Sequence, residues 1–323
     1  MEIGSYIELD LRSTAEYYNG DDIARLNTAR AGIYHCLKIL QCDTVYLPYY
    51  ECFTVRNFLQ KKGIRINYYN ISETFEPQIG KIEKSTAILF VNHFGIMGTK
   101  RMKQVVSSYN KVIIDNAQSF YSKPIRNCLN VYSARKFFGV PDGCYVIGPD
   151  ARLFEDEYEQ DFSSFTANFL LERIEVGCAK AYSDRMKNEE RIDSSEIKRM
   201  SKLTLTLLKN APYNEIKNKR IKNFLYAHSL FSQFNVIDPM MYFDKSCVPM
   251  TYPLVIKKEK IIEELIKNKI YTGRLWKYLL NETDNCSFEY MLSSYMVPVP
   301  IDQRYNSDTI DYIFSIIKKI NDE

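Results

Sequence analysis

Val112-Ile113-Ile114-Asp115-Asn116-Ala117-Gln118 is an apolar run that delivers a carboxylate and then an amide. Further along, Tyr132-Ser133-Ala134-Arg135-Lys136-Phe137-Phe138-Gly139 places a hydroxyl three residues before a lysine flanked by aromatics. Taken singly, these groups say little. A carboxylate after an apolar strand is what any α/β protein places at the solvated rim of its sheet. Most lysines sit on solvated faces. The setting of Lys136 between Val131-Tyr132 and Phe137-Phe138 predicts partial desolvation, which favours a neutral, nucleophilic amine. The ordered pair therefore carries more than either residue alone.

Working outward, short apolar runs alternate with amphipathic stretches from about 22 to 148, the pattern of βαβ units on a parallel sheet. Ile23 to Leu40 reads as a helix. Thr44-Val45-Tyr46-Leu47 reads as a strand stopped by Pro48, and Cys52 to Lys62 as a helix ended by Gly63. Ile64 to Tyr69 alternates as a strand, whereas Ala87 to Asn92 and Val112 to Asp115 are continuous apolar runs suited to strands covered on both faces. Cys144 to Gly148 returns as a further strand. From about 151 to 225 the chain is polar and helical. Val248 to Ile256 opens a new α+β unit, with helices predicted over Lys257–Asn268 and Asp308–Ile320. A domain boundary is expected between about 225 and 240.

The 323 residues are enough for a large domain and a small one with ample core. Hydrophobic content of 46% and charged content of 26% are ordinary for a globular protein, and a net charge of +3 gives no case for nucleic acid. The densest basic cluster, Lys217-Asn218-Lys219-Arg220, reads as a solvated helix face. The eight cysteines form no CxxC pair and no zinc-type spacing, so no metal site is expected. No basic segment with an apolar core opens the chain, and no apolar run approaches the roughly 18 residues needed to cross a bilayer. A cytoplasmic protein with reduced thiols and no membrane association is the expectation.

The two opening stretches supply an amine that can condense with an aldehyde, a carboxylate that can hold a ring nitrogen protonated, and a hydroxyl for a phosphate. Those are the demands of pyridoxal 5′-phosphate (PLP). At this point the sequence resembles the DegT/DnrJ/EryC1/StrS sugar aminotransferases, PLP enzymes of the aspartate-aminotransferase fold (fold type I). Leu26-Asn27-Thr28-Ala29-Arg30-Ala31-Gly32-Ile33 is similar to the family's small-residue turn opening a helix. Val45-Tyr46-Leu47-Pro48-Tyr49-Tyr50-Glu51-Cys52 resembles its strand ending in Pro and an aromatic. Leu89-Phe90-Val91-Asn92-His93-Phe94-Gly95 resembles the strand and turn before the aspartate strand, and Pro141-Asp142-Gly143-Cys144 the Asp-Gly step after the lysine. Order and spacing hold from about 26 to 148, and more loosely to the end.

The resemblance implies an α/β fold of type I, with a large, mostly parallel-sheet PLP-binding domain over 1–230 and a smaller C-terminal α+β domain over 231–323. It implies Lys136 as the Schiff-base lysine and proton carrier, Asp115 as the partner of the pyridine nitrogen, and Gln118 as the contact of the ring hydroxyl. Ser133 corresponds to a phosphate-binding hydroxyl. Ala29 and Arg30 stand where backbone N–H groups at a helix N-terminus meet the same phosphate, with the Arg30 side chain as an added charge. Either Cys52 or Phe53 takes the place of the residue that stacks on the ring. Asn92 and His93 are weaker candidates for substrate contact; a hydrogen-bonded structural role fits His93 equally. Trp276, Arg274 and Asp302-Gln303-Arg304-Tyr305 lie where the small domain could hold a donor carboxylate, though surface placement explains each as well.

There are departures. Arg199-Met200-Ser201 resembles a family segment, but Ile197 and Lys198 replace the asparagine and aromatic that usually precede it, so the resemblance does not carry over that segment's contact to the neighbouring subunit's phosphate. The chain is also shorter than typical members. The expected function is nonetheless a PLP-dependent aminotransferase moving an amino group from glutamate to a keto group on a nucleotide-linked sugar, as a homodimer, for surface polysaccharide or glycosylated metabolite synthesis. A sugar dehydratase of the same family, which typically replaces the lysine with histidine, and a non-catalytic binding protein of the same fold are the alternatives.

Overall fold

The computed structural model describes residues 3–12 and 14–322. Eight strands build one sheet: β1 (Ile23–Leu26), β2 (Thr44–Pro48), β3 (Arg65–Ile71), β4 (Pro77–Gln78), β5 (Ala87–Val91), β6 (Val112–Asp115), β7 (Leu129–Ser133) and β8 (Cys144–Ile147). Their order is β1-β8-β7-β6-β5-β2-β3-β4. The β7, β6, β5, β2 and β3 strands are parallel, whereas β8 runs against both its neighbours, β7 and β1.

The continuous apolar runs are explained by burial on both faces. On β5, Ala87, Leu89 and Val91 join a core beneath α1 (Ala29–Leu40) and α2 (Phe53–Lys61). The alternate residues Ile88 and Phe90 enter the opposite core, shared with the C-terminal elements. Period-2 geometry sends successive side chains to opposite faces, so a strand covered twice has no polar position to spare.

The helix predicted from Ile23 begins only at Ala29. Ile23–Leu26 instead pairs antiparallel with β8, Leu26 opposite Cys144, and Thr28 caps α1 by accepting the Ala31 N–H on Oγ1. After α3 (Thr99–Val106), four helices follow the sheet: α4 (Asn168–Val176), α5 (Tyr182–Ser194), α6 (Lys202–Leu208) and the long α7 (Tyr213–Phe231). The C-terminal unit pairs β9 (Tyr252–Val255) with β10 (Met296–Val299), flanked by α8 (Ile261–Lys267), α9 (Phe288–Tyr295) and α10 (Ser307–Asp322). Pro253 and Pro298 face each other in this ribbon, a position open to proline because both strands are edges. Phe224 of α7 stacks on Phe243, with ring centroids 4.9 Å apart, and packs on Tyr252, so α7 joins the two units through shared core.

Candidate active site

The candidate site lies at the C-terminal rim of the parallel strands, where α/β sheets present ligand groups. Asp115 ends β6, and the chain there is held from both sides. Asn92 N–H donates to the Asp115 carbonyl at 2.9 Å, and Asn116 N–H to that of Val131 at 2.7 Å. The Asp115 carboxylate is buried, with Oδ1 accepting the Ala117 N–H at 2.6 Å. Burial raises its pKa, opposed by the positive charge of Lys136 and by the Ala117 N–H.

Lys136 sits in a turn closed by the N–H groups of Phe137 and Phe138, each 3.0 Å from the Ala134 carbonyl. Phe137 and Phe138 drop into an aromatic core with Phe120, Tyr121, Tyr132 and Tyr145. Gln303 Nε2 donates to the Phe137 carbonyl at 2.8 Å, and the Arg220 guanidinium lies 4.5 Å from the Phe137 ring centroid. Contrary to the desolvation expected from its aromatic flanks, Lys136 is exposed. The flanking rings anchor the turn by entering the core, and the lysine is the residue left outside. Its charge nonetheless acts on Asp115, Glu51 and His93, so the amine lies within electrostatic range of all three.

The first turn of α1 offers the N–H groups of Ala29 and Arg30, which no helix can satisfy internally. Ser133, at the end of β7, is buried, and its hydroxyl makes no hydrogen bond among the described residues. These donors suit an anion. The Arg30 side chain does not join them. It is buried against α5, with Nη1 donating to Asp193 Oδ1 at 2.8 Å and Nη2 to the Ile192 carbonyl. Arg30 therefore contributes only its backbone to the candidate anion site.

Gln118 is buried, its Oε1 accepting the Phe94 N–H at 2.8 Å. It clamps a turn in which Phe94 and Gly95 both have positive φ; Nε2 makes no hydrogen bond among the described residues. Asn92 donates to Asn116 Oδ1 and Ser122 Oγ, a structural engagement. His93 is buried, its Nε2 bonded to the Tyr50 carbonyl at 2.8 Å, and burial lowers its pKa to about 4. It is thus a neutral donor. Cys52 caps α2 and its thiol contacts Thr54, whereas Phe53 is exposed beside the Tyr278 ring.

In the C-terminal part, Trp276 packs edge-on to Tyr50 with centroids 4.4 Å apart and lies 6.3 Å from His93, so it walls the site. Arg304 is engaged within the chain, gripping Asp302 with two hydrogen bonds. Arg274 Nη2 donates to the Lys258 and Glu259 carbonyls, while its Nη1 is buried without a partner. Ile197 packs on the α1 side of the sheet, an apolar group where a phosphate contact would need a polar one.

Glu51 is the acidic neighbour that the sequence left unremarked. It lies three residues beyond β2, 6% exposed, with Oε1 accepting the Cys52 N–H and Oε2 buried without a partner. Its only signal in the sequence is a glutamate directly after Tyr49-Tyr50, where an apolar strand should have given way to surface. Among the described residues no group of three or more His, Cys, Asp or Glu could hold a metal ion.

No protein-family model matches the sequence, and no curated protein is found similar to it. Solved structures are similar in fold. A DegT DnrJ EryC1 StrS aminotransferase from Brucella abortus superposes with a TM-score of 0.63 at 13% identity, covering 93% of this chain and 86% of its own. Putative sugar aminotransferase Spr1654 from Streptococcus pneumoniae, in its PMP form, gives 0.64 at 15% identity, covering 93% and 88%. GDP-4-keto-6-deoxymannose-3-dehydratase (ColD) gives 0.64 at 15%, covering 91% and 88%. The chain has the fold of the sugar aminotransferases, as the motif order implied.

Proposed function

We propose that the protein is a PLP-dependent aminotransferase that takes an amino group from glutamate and delivers it to a keto group on a nucleotide-linked sugar. The observation that carries this is the convergence of a buried Asp115, a Lys136 whose charge acts on it, and the open N–H groups of Ala29 and Arg30 with Ser133 at one sheet rim. These donors fit PLP. Asp115 would keep the ring nitrogen protonated, Gln118 Nε2 would donate to the ring hydroxyl, and Ser133 with the α1 amides would hold the phosphate. When bound, PLP supplies an electron sink that stabilises a carbanion at the carbon bearing the amino group. Lys136 Nζ would hold the aldehyde and, once displaced by a substrate amine, carry a proton to and from the substrate α-carbon.

Residues 1–230 are assigned to cofactor binding and 231–323 to closing the site. A role in surface polysaccharide or glycosylated metabolite synthesis, in the cytoplasm, goes with that acceptor. No helix among the described residues is long and apolar enough to cross a membrane. The working unit is assigned as a homodimer, supported by α4, which buries no residue within the chain while Leu171 and Ile174 stand exposed beside Phe162 and Phe165. The dehydratase alternative is disfavoured by Lys136 itself.

The test is the absorption spectrum of the purified protein with PLP, before and after glutamate, alongside Lys136→Ala. A band near the visible edge that requires Lys136 and is bleached by glutamate is expected. No band, or one indifferent to both changes, would sink the assignment.

A further inference from the structure

Glu51 is costly where it stands. A buried carboxyl with one oxygen unpartnered lacks the hydrogen bonds that normally offset desolvation. Nothing about the fold needs it. The single bond its side chain makes is to the N–H of the next residue, Cys52, which lies ahead of the first turn of α2 and so leaves that turn's donors untouched. The backbone around it is held independently, by Tyr278 Oη on the Glu51 carbonyl and His93 Nε2 on the Tyr50 carbonyl.

Its surroundings are those of the site. Asp115 on β6 and Lys136 after β7 both act on it electrostatically. Tyr69 on β3, Cys52 just before α2 and Tyr278 beyond Trp276 are the other titratable groups against it. No cation pairs with it among the described residues.

We propose that Glu51 is a working residue of this site: a buried carboxyl group at the rim that carries Asp115, whose unpartnered Oε2 completes its hydrogen bonding on the bound molecule. The inference rests on the PLP reading above. Burial first, then the neighbouring Asp115 charge, push the Glu51 carboxyl up to about 8, with the Cys52 N–H and Lys136 opposing. At neutral pH the group is therefore a donor. Above that range it becomes a second anion and loses its proton for donation.

The experiment is a PLP titration from pH 6 to 9, read by quenching of Trp276, the chain's one tryptophan, whose ring lies 4.4 Å from Tyr50. Wild type, Glu51→Gln and Glu51→Leu are compared, with thermal unfolding confirming that each is folded. Glu51→Gln keeps an uncharged donor at every pH. It should match wild type within about threefold at pH 7 and bind progressively more tightly than wild type toward pH 9, where wild type has lost its donor. Glu51→Leu, losing the donor, should bind about tenfold more weakly at pH 7. A Gln variant that copies the wild-type pH profile, or a Leu variant that binds as tightly as wild type, overturns the role of Glu51 and leaves the PLP reading standing. Wild type that binds no PLP at any pH overturns that reading and the Glu51 role with it.

Discussion

Asp115 and Glu51 make the site expensive to keep empty. Both carboxyls have pKa values raised chiefly by burial, so each folded-state value lies above the unfolded one. The sign follows from linkage. Such groups leave stability intact below the ordinary carboxylate range and remove it as pH rises toward the folded-state value, about 8 for Glu51. Asp115→Asn removes one of these buried acids. We expect the apoprotein of this variant to melt higher than wild type at pH 7 and to gain less at pH 5, by calorimetry at both pH values. On the proposed function, the same variant should still bind PLP but transfer the amino group about 10² to 10⁴-fold more slowly, since Asn could not hold a ring nitrogen protonated. A variant that melts lower at pH 7 would show Asp115 to be a structural hydrogen-bond acceptor first. Stability gained and activity lost together are the mark of a residue retained for chemistry.

At the scale of elements, α1 matters for where its first turn stands. Gly32 lets the helix lie against the sheet: a Cβ there would come within 2.7 Å of Cys144 Sγ, 3.0 Å of Val131 and 3.1 Å of Val146. Helix propensity favours alanine by roughly 1 kcal/mol, but three contacts at once force the helix away from β7 and β8. Gly32→Ala should cost about 1–3 kcal/mol in denaturant unfolding and weaken PLP binding through displaced Ala29 and Arg30 amides. Unchanged stability would mean that the helix shifts freely. The apolar periodicity up to Leu40 makes this helix legible in the sequence, but not its start. Ile23–Leu26 is a strand only by virtue of β8, more than a hundred residues later in the chain. The turn carrying Lys136 shows the same division. Its aromatic flanks were read as shielding the lysine, yet Phe137 and Phe138 fill the core and Lys136 points away from it.

For the whole molecule, the α4 region carries an apolar surface that the chain does not cover itself. Ile174 is 83% exposed and Phe165 73%, and neighbours within the chain do not explain them. Ile174→Asp should leave the monomer's stability within about 0.5 kcal/mol, as for other surface changes, while shifting the protein toward monomer by light scattering. An unchanged mass would remove α4 from the proposed dimer contact.

Local pattern was enough for what it can encode: buried parallel strands from unbroken apolar runs, a helix end from Gly63, and the Asp115–Lys136 order on which the proposed chemistry rests. Tertiary structure alone decided the rest. Arg30 was drawn to Asp193 and Ile192, Gln118 to the Phe94 amide, Lys136 outward, and Glu51 inward beside Asp115. Each of these depends on which distant residue supplies the partner or the dielectric. A side chain's neighbours in sequence fix its conformational preferences, whereas its charge state and bonding are fixed by neighbours in space.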